Sequence, residues 1–117
     1  MKIYISGPIA GYPKFKEVFE SAATHLRALG LDAVNPVDVP AHEHEGPCPP
    51  SYTRGPEHSA ACYLRTDLLA LLECDSIFML SGWESSIGAR LEHSVAAHCG
   101  LKIYSQHSDL SELKKAS

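Results

Sequence analysis

The run SIFML at residues 76–80 is apolar from its second position to its last and shows no alternation. A strand with one wet face alternates polar and apolar residues. A continuous apolar run of this length suits a strand covered on both faces. It therefore calls for a sheet with helices above and below.

The rest of the chain supplies matching parts. Lys2 to Ser6 is a short β-rich run closed by Gly7-Pro8. From Lys14 to Leu29, Phe15, Val18, Phe19, Ala22, Leu26 and Leu29 recur at helical spacing, and Gly30 is a natural stop. Leu31 to Val34 predicts a second strand, ended by Asn35-Pro36. A helix is expected over about 61–73, with Leu64, Leu68, Leu71 and Leu72 inward. Another spans 85–99 and stops at Gly100, and Leu101 to Tyr104 predicts a fourth strand. The tail SDLSELKKA predicts a last short helix, with Ser108 or Asp109 as its cap. Strands alternating with helices indicate an α/β fold: a three-layer domain, flavodoxin-like or Rossmann-like, around a four- to five-stranded parallel sheet. Ligands then bind at the carboxyl ends of the strands.

The 117 residues suit a single domain, 1–117, long enough to bury a core without staples. Residues 36–60 interrupt the pattern with six of the eight prolines and no period. A loop of this length, taken as 37–60, is expected to be a lid or binding loop, or a mobile solvated segment. Net charge is −4 with no basic run, which argues against a duplex nucleic-acid surface. A single nucleotide remains compatible, since a few N–H groups can hold one phosphate. No segment approaches a membrane span, and MKIYISGPIAG looks like a strand rather than a signal peptide. Cys48, Cys62, Cys74 and Cys99 lack C-x-x-C spacing and are expected to be reduced thiols of a cytoplasmic protein.

Three segments should meet at the ligand edge: SGPIAG (6–11), SGWESSIGA (81–89), and the long loop with the helix that follows it. SGPIAG either cradles an anion or simply makes a tight turn; it is neither a G-x-G-x-x-G nor a Walker loop. Ser85 or Ser86 can cap the helix after SIFML, whose free N–H groups then favour an anion. Gly88 costs that helix roughly 1 kcal/mol relative to Ala, so close approach of a ligand or of sheet backbone should offset it. Glu92 shares a face with Gly88, as a surface charge or as a carboxylate facing the site. Asp67 sits near an apolar stripe, where a charge has a partner or a task, or else complements the helix dipole. Asp75 reads as a structural residue at a strand start.

His42, His44, Cys48, His58 and Cys62 are metal-capable, but their spacing matches no recognised zinc pattern, so no metal is expected. Within the loop, Tyr52 could stack on a base and Arg54 could meet a phosphate.

YISGPIAG with Phe15, VNP at 34–36, RTDLLALLECDSIFML and GWESSIGARLEHSVAA together resemble the nucleoside 2-deoxyribosyltransferase-like superfamily. The resemblance is to a small phage and bacterial branch, and a similar arrangement occurs in 2′-deoxynucleoside 5′-monophosphate N-glycosidases. It implies cleavage or transfer at the N-glycosidic bond of a nucleoside or its 5′-monophosphate, without cofactor or metal. Glu92 would be the nucleophile, Asp67 the acid that protonates the leaving base, and Tyr4 a group beside the nucleophile. Ser6, Gly7, Ile9, Gly11, Ser86 and Gly88 would hold the 5′ end of the substrate. The resemblance also implies a homodimer or larger assembly. The chain departs from the nucleotide hydrolases at Ala10, where they carry Arg, and Lys14, Arg54, Arg65 or Arg90 would have to take its place. The alternative function is a module that binds a nucleotide or an ADP-ribose-like ligand without turnover.

Overall fold

The computed structural model describes residues 1–51, 58–106 and 110. Tyr52, Arg54 and the expected tail helix with Ser108 or Asp109 lie outside them. The elements are β1 (Lys2–Ser6), α1 (Phe15–Ala28), β2 (Asp32–Val34), α2 (Ala60–Leu72), β3 (Ser76–Met79), α3 (Ile87–His98) and β4 (Lys102–Ser105). Short 3-10 turns at Pro36–Asp38 and Trp83–Ser85 follow β2 and precede α3. All strand pairs are parallel, in the order β2-β1-β3-β4. This is the flavodoxin-like alternative.

Strand alternation builds two cores. Ile3 and Ile5 of β1, with Phe78 and Leu80, pack on Phe19, Ala22, Ala23 and Leu26 of α1. Tyr4, Ile77 and Met79 face the other way, onto Leu71 of α2 and Ala89 and Ala96 of α3. Every residue of β3 is buried, as its unbroken apolar run requires of a central strand. Two expected inward residues differ: Val18 is 46% exposed and Leu72 is 50% exposed. Each falls at the margin of its helix's apolar stripe, where the neighbouring layer ends.

Two helices close in the same way. Leu31 N–H bonds Leu26 O and Gly30 N–H bonds Arg27 O after α1; Leu101 to Ala96 and Gly100 to Ala97 repeat this after α3. These are Schellman ends, with Gly30 at φ 87° and Gly100 at φ 77° in the left-handed region. Each turns the chain directly into the next strand. Asp75 holds the other edge of the sheet, its carboxylate accepting from Lys2 N–H at 2.9 Å. That agrees with its reading as a structural residue.

The described part of the long loop runs against α2. Thr66 Oγ1 donates to Pro40 O at 2.6 Å, and His42 N–H donates to Cys62 O at 2.8 Å.

Candidate active site

The chain leaves β1 toward β2 on one side and β3 toward β4 on the other. Their carboxyl ends therefore separate and open a crevice, the usual ligand position in such sheets. A cavity of about 180 Å³ lies there. Gly7, Ile9 and Ala10 form the wall after β1; Ser85 to Ala89 and Glu92 form the wall after β3; Leu64 of α2 closes a third side.

Glu92 is the only ionisable side chain among the described residues lining this cavity, and it is 6% exposed. A carboxylate so placed loses much of its hydration and must recover it from the protein. Tyr4 and Ser6 supply this. Tyr4 Oη donates to Oε2 at 2.5 Å and Ser6 Oγ donates to Oε1 at 2.8 Å. The two donors are two residues apart on β1, so strand geometry aims both at the α3 side. Together they fix the plane of the carboxyl group. The result is an oriented, hydrogen-bonded carboxyl group facing a small cavity.

The rim is set by the start of α3. Ser86 is the N-cap, its Oγ accepting from Ala89 N–H at 3.2 Å. Ser85, the alternative cap, instead donates to Gly82 O at 2.8 Å and lies 3.2 Å from Tyr12 Oη. Among the described residues, the N–H groups of Ile87 and Gly88 have no protein acceptor. They are the free donors that a helix start offers an anion. Gly88 is the second helical residue and lines the cavity, so ligand approach is open to it.

Gly7, Ile9, Ser86, Gly88 and Glu92 thus share one cavity, and Tyr4 and Ser6 stand behind Glu92. Two other expected residues are placed differently. Gly11 does not line the cavity, having left β1 by five residues. Asp67 is 1% exposed and on the same side of the sheet as Glu92, but it does not line the cavity; Leu64, one turn earlier on α2, does. Ala10, Leu64, Ile87 and Ala89 also line the cavity; they fall in the segments expected at the ligand edge but carry no polar signal that would single them out. Neither Lys14, Arg65 nor Arg90 lines the cavity.

A second polar cluster lies in the loop beside the start of α2. There, the Ser59 N–H bonds the Cys48 thiol and, with Cys62, His44 and His58, draws it down to about 7.

Residues 1–105 match the sequence profile described as "Domain of unknown function (DUF4406)". The chain belongs to the DUF4406 family. No curated protein matches this DUF4406 chain. Among solved structures, it is similar to a 2-deoxyribosyltransferase from the psychrotolerant bacterium Bacillus psychrosaccharolyticus, at 19% identity and a TM-score of 0.59. The match covers 100% of this chain and 82% of the other. At that identity the likeness is one of fold. The DUF4406 chain has the α/β architecture of that enzyme.

Proposed function

We propose that this protein cleaves or transfers at the N-glycosidic bond of a deoxynucleoside or its 5′-monophosphate. The observation that carries the reading is Glu92: buried, bonded on both oxygens by β1 hydroxyls, and open to a cavity bordered by free helix N–H groups. The likeness in fold to a 2-deoxyribosyltransferase supports it.

Breaking an N-glycosidic bond develops positive charge at C1′. In this reading Glu92 attacks C1′ and forms a glycosyl-enzyme ester while the base departs with the bonding electrons. Asp67, in its protonated form, supplies the proton the base needs. Water then attacks C1′ in a hydrolase, or a second base in a transferase, and Glu92 is freed. Tyr4 and Ser6 hold the carboxylate in line for attack and take no part in bond making. The Ile87 and Gly88 N–H groups, with Gly7 and Ile9 opposite, meet the 5′ end of the sugar. With Ala10 at the rim and no cation on the wall among the described residues, the helix N–H groups are the main anion donors there.

The cavity is smaller than the roughly 300–1,000 Å³ that encloses a whole small-molecule ligand. It takes a sugar-sized fragment, and the base extends past its rim. A second copy of the chain covering the rim would complete the site, so we include a homodimer or larger assembly in the proposal. The four free thiols suit the reducing cytoplasm. Among the described residues no helix is long and apolar enough to cross a membrane.

The test is incubation with a panel of deoxynucleosides and their 5′-monophosphates, followed by chromatography for free base. Wild type is expected to release base, and Glu92→Gln to lose roughly 10³-fold or more of that rate. A second base in the mixture separates transfer from hydrolysis. Equal release by both proteins would remove Glu92 from the mechanism. Tight binding of a nucleotide with no release from any substrate would leave the module that holds a ligand without turnover.

A further inference from the structure

His44, Cys48, His58 and Cys62 each bring one ligand-capable atom to a common point, all within 4.8 Å of one another. His44 Nε2 lies 3.2 Å from Cys62 Sγ, and Cys48 Sγ lies 3.8 Å from His58 Nδ1. A tetrahedral centre with metal–sulfur bonds of about 2.3 Å and metal–nitrogen bonds of about 2.0–2.1 Å has nitrogen–sulfur edges of roughly 3.5 Å. The two measured edges fall on either side of that value.

The outward ring nitrogens are placed to match. His44 Nδ1 lies 3.3 Å from the Glu45 carbonyl, and His58 Nε2 lies 3.7 Å from a Glu43 carboxylate oxygen. The Glu45 carbonyl on the far side of His44 favours the tautomer that presents a lone pair inward, as around metal-bound histidines, and Glu43 lies on the corresponding side of His58. Cys62 is buried and the other three are half-buried, so the centre is shielded while its rim remains accessible.

We propose that His44, Cys48, His58 and Cys62 form a closed tetrahedral zinc site. Two thiolates and two imidazoles select zinc over the hard, oxygen-seeking cations. Four protein ligands leave no position for a substrate or water, so the site is structural. In sequence the ligands form two His-x-x-x-Cys pairs nine residues apart. Each pair combines one nitrogen and one sulfur, which is why spacings built on paired cysteines miss it. The metal joins the long loop to the first turn of α2, the helix that supplies Leu64 to the cavity wall and carries Asp67. This site stands on residues separate from the glycosidic chemistry, and either can fail without the other.

The test uses the full, tag-free chain purified without chelator. Elemental analysis is expected to find about one zinc per chain. After chelation, titration with Co²⁺ under reducing conditions should give the intense visible bands of a tetrahedral ion and a near-ultraviolet thiolate band, both abolished by added Zn²⁺. Cys48→Ser and His58→Ala should lose the metal and the bands, while Cys99→Ser keeps both. Chelation should lower the melting temperature, and Zn²⁺ should restore it. Should the ligand variants fail to fold, the wild-type stoichiometry and Co²⁺ spectrum decide the matter alone. Wild-type protein with no zinc and only the faint spectrum of octahedral Co²⁺ would overturn the site. So would thiol titration of fresh protein that finds Cys48 and Cys62 bonded to each other.

Discussion

Tyr4 and Ser6 do for Glu92 what bulk water does for an exposed carboxylate, but with fixed directions. Removing one donor leaves a buried oxygen less satisfied, a loss of about 1–3 kcal/mol. Tyr4→Phe keeps the ring that packs on Leu71 and Ile77 and deletes only the hydroxyl. It should lower kcat for base release by roughly 10–100-fold with KM little changed, because the carboxylate loses orientation rather than substrate contact. Steady-state kinetics on the best substrate of the panel would check this; a rise in KM alone would place Tyr4 in binding instead. Asp67 calls for a different experiment, since it is buried and does not itself line the cavity. If Asp67 protonates the departing base, Asp67→Asn costs about 10²–10⁴-fold on ordinary deoxynucleosides. The variant should then recover most of its rate on a deoxyriboside of an N-methylated cationic purine, which leaves without a proton. An equal loss on both substrates would make Asp67 a structural residue. Part of this scale was legible beforehand: Glu92 shares a helical face with Gly88, but that Ser6, expected at the substrate's 5′ end, would bond Glu92 was not. Nor could it be read that Leu64 rather than Asp67 would line the cavity, because that depends on how α2 lies against α3.

Among the elements, the turn after β1 is the one whose shape the cavity depends on. Gly7 belongs to the cavity wall and also packs on the end of β3. A Cβ placed on Gly7 would lie 2.8 Å from Leu80 Cβ and 2.9 Å from its Cδ1. Leu80 is itself 1% exposed and packed in the α1 core, so it has little room to yield. Gly7→Ala should therefore destabilise the fold by about 1–3 kcal/mol, read as a lower denaturant midpoint at unchanged slope. An unchanged midpoint would mean the strand ends separate more easily than this packing implies. SGPIAG thus needs a glycine for close approach whether or not an anion sits over it, which is why its sequence alone left both readings open. The boundaries of α3 were similarly blurred. Trp83–Ser85 forms a 3-10 turn stacked before the helix, with Trp83 lying on His93 at a ring separation of 4.4 Å. Helical spacing continues through such a turn, so the periodicity could not locate the true cap at Ser86.

At the scale of the whole molecule, the α2–α3 face holds more apolar surface than an isolated chain needs. Leu69 and Leu72 of α2 are 66% and 50% exposed; Ile87 and Leu91 of α3 are 65% and 42% exposed. Ile87 is at once the most outward of the α3 pair and part of the cavity rim. Exposed apolar side chains on the two helices that flank an undersized pocket suit burial against another protein surface. A second copy pressed on this face would cover these residues and extend the cavity toward the base. Light scattering behind size exclusion is then expected to give a dimer or larger species. Leu69→Glu, which touches no lining residue's side of the pocket, should shift that species toward monomer. Its KM for deoxynucleosides should rise several-fold, and raising the protein concentration should restore part of the affinity. A wild type that is monomeric at assay concentrations yet fully active would show that one chain's walls suffice. The base would then have to be held by the chain's own loop.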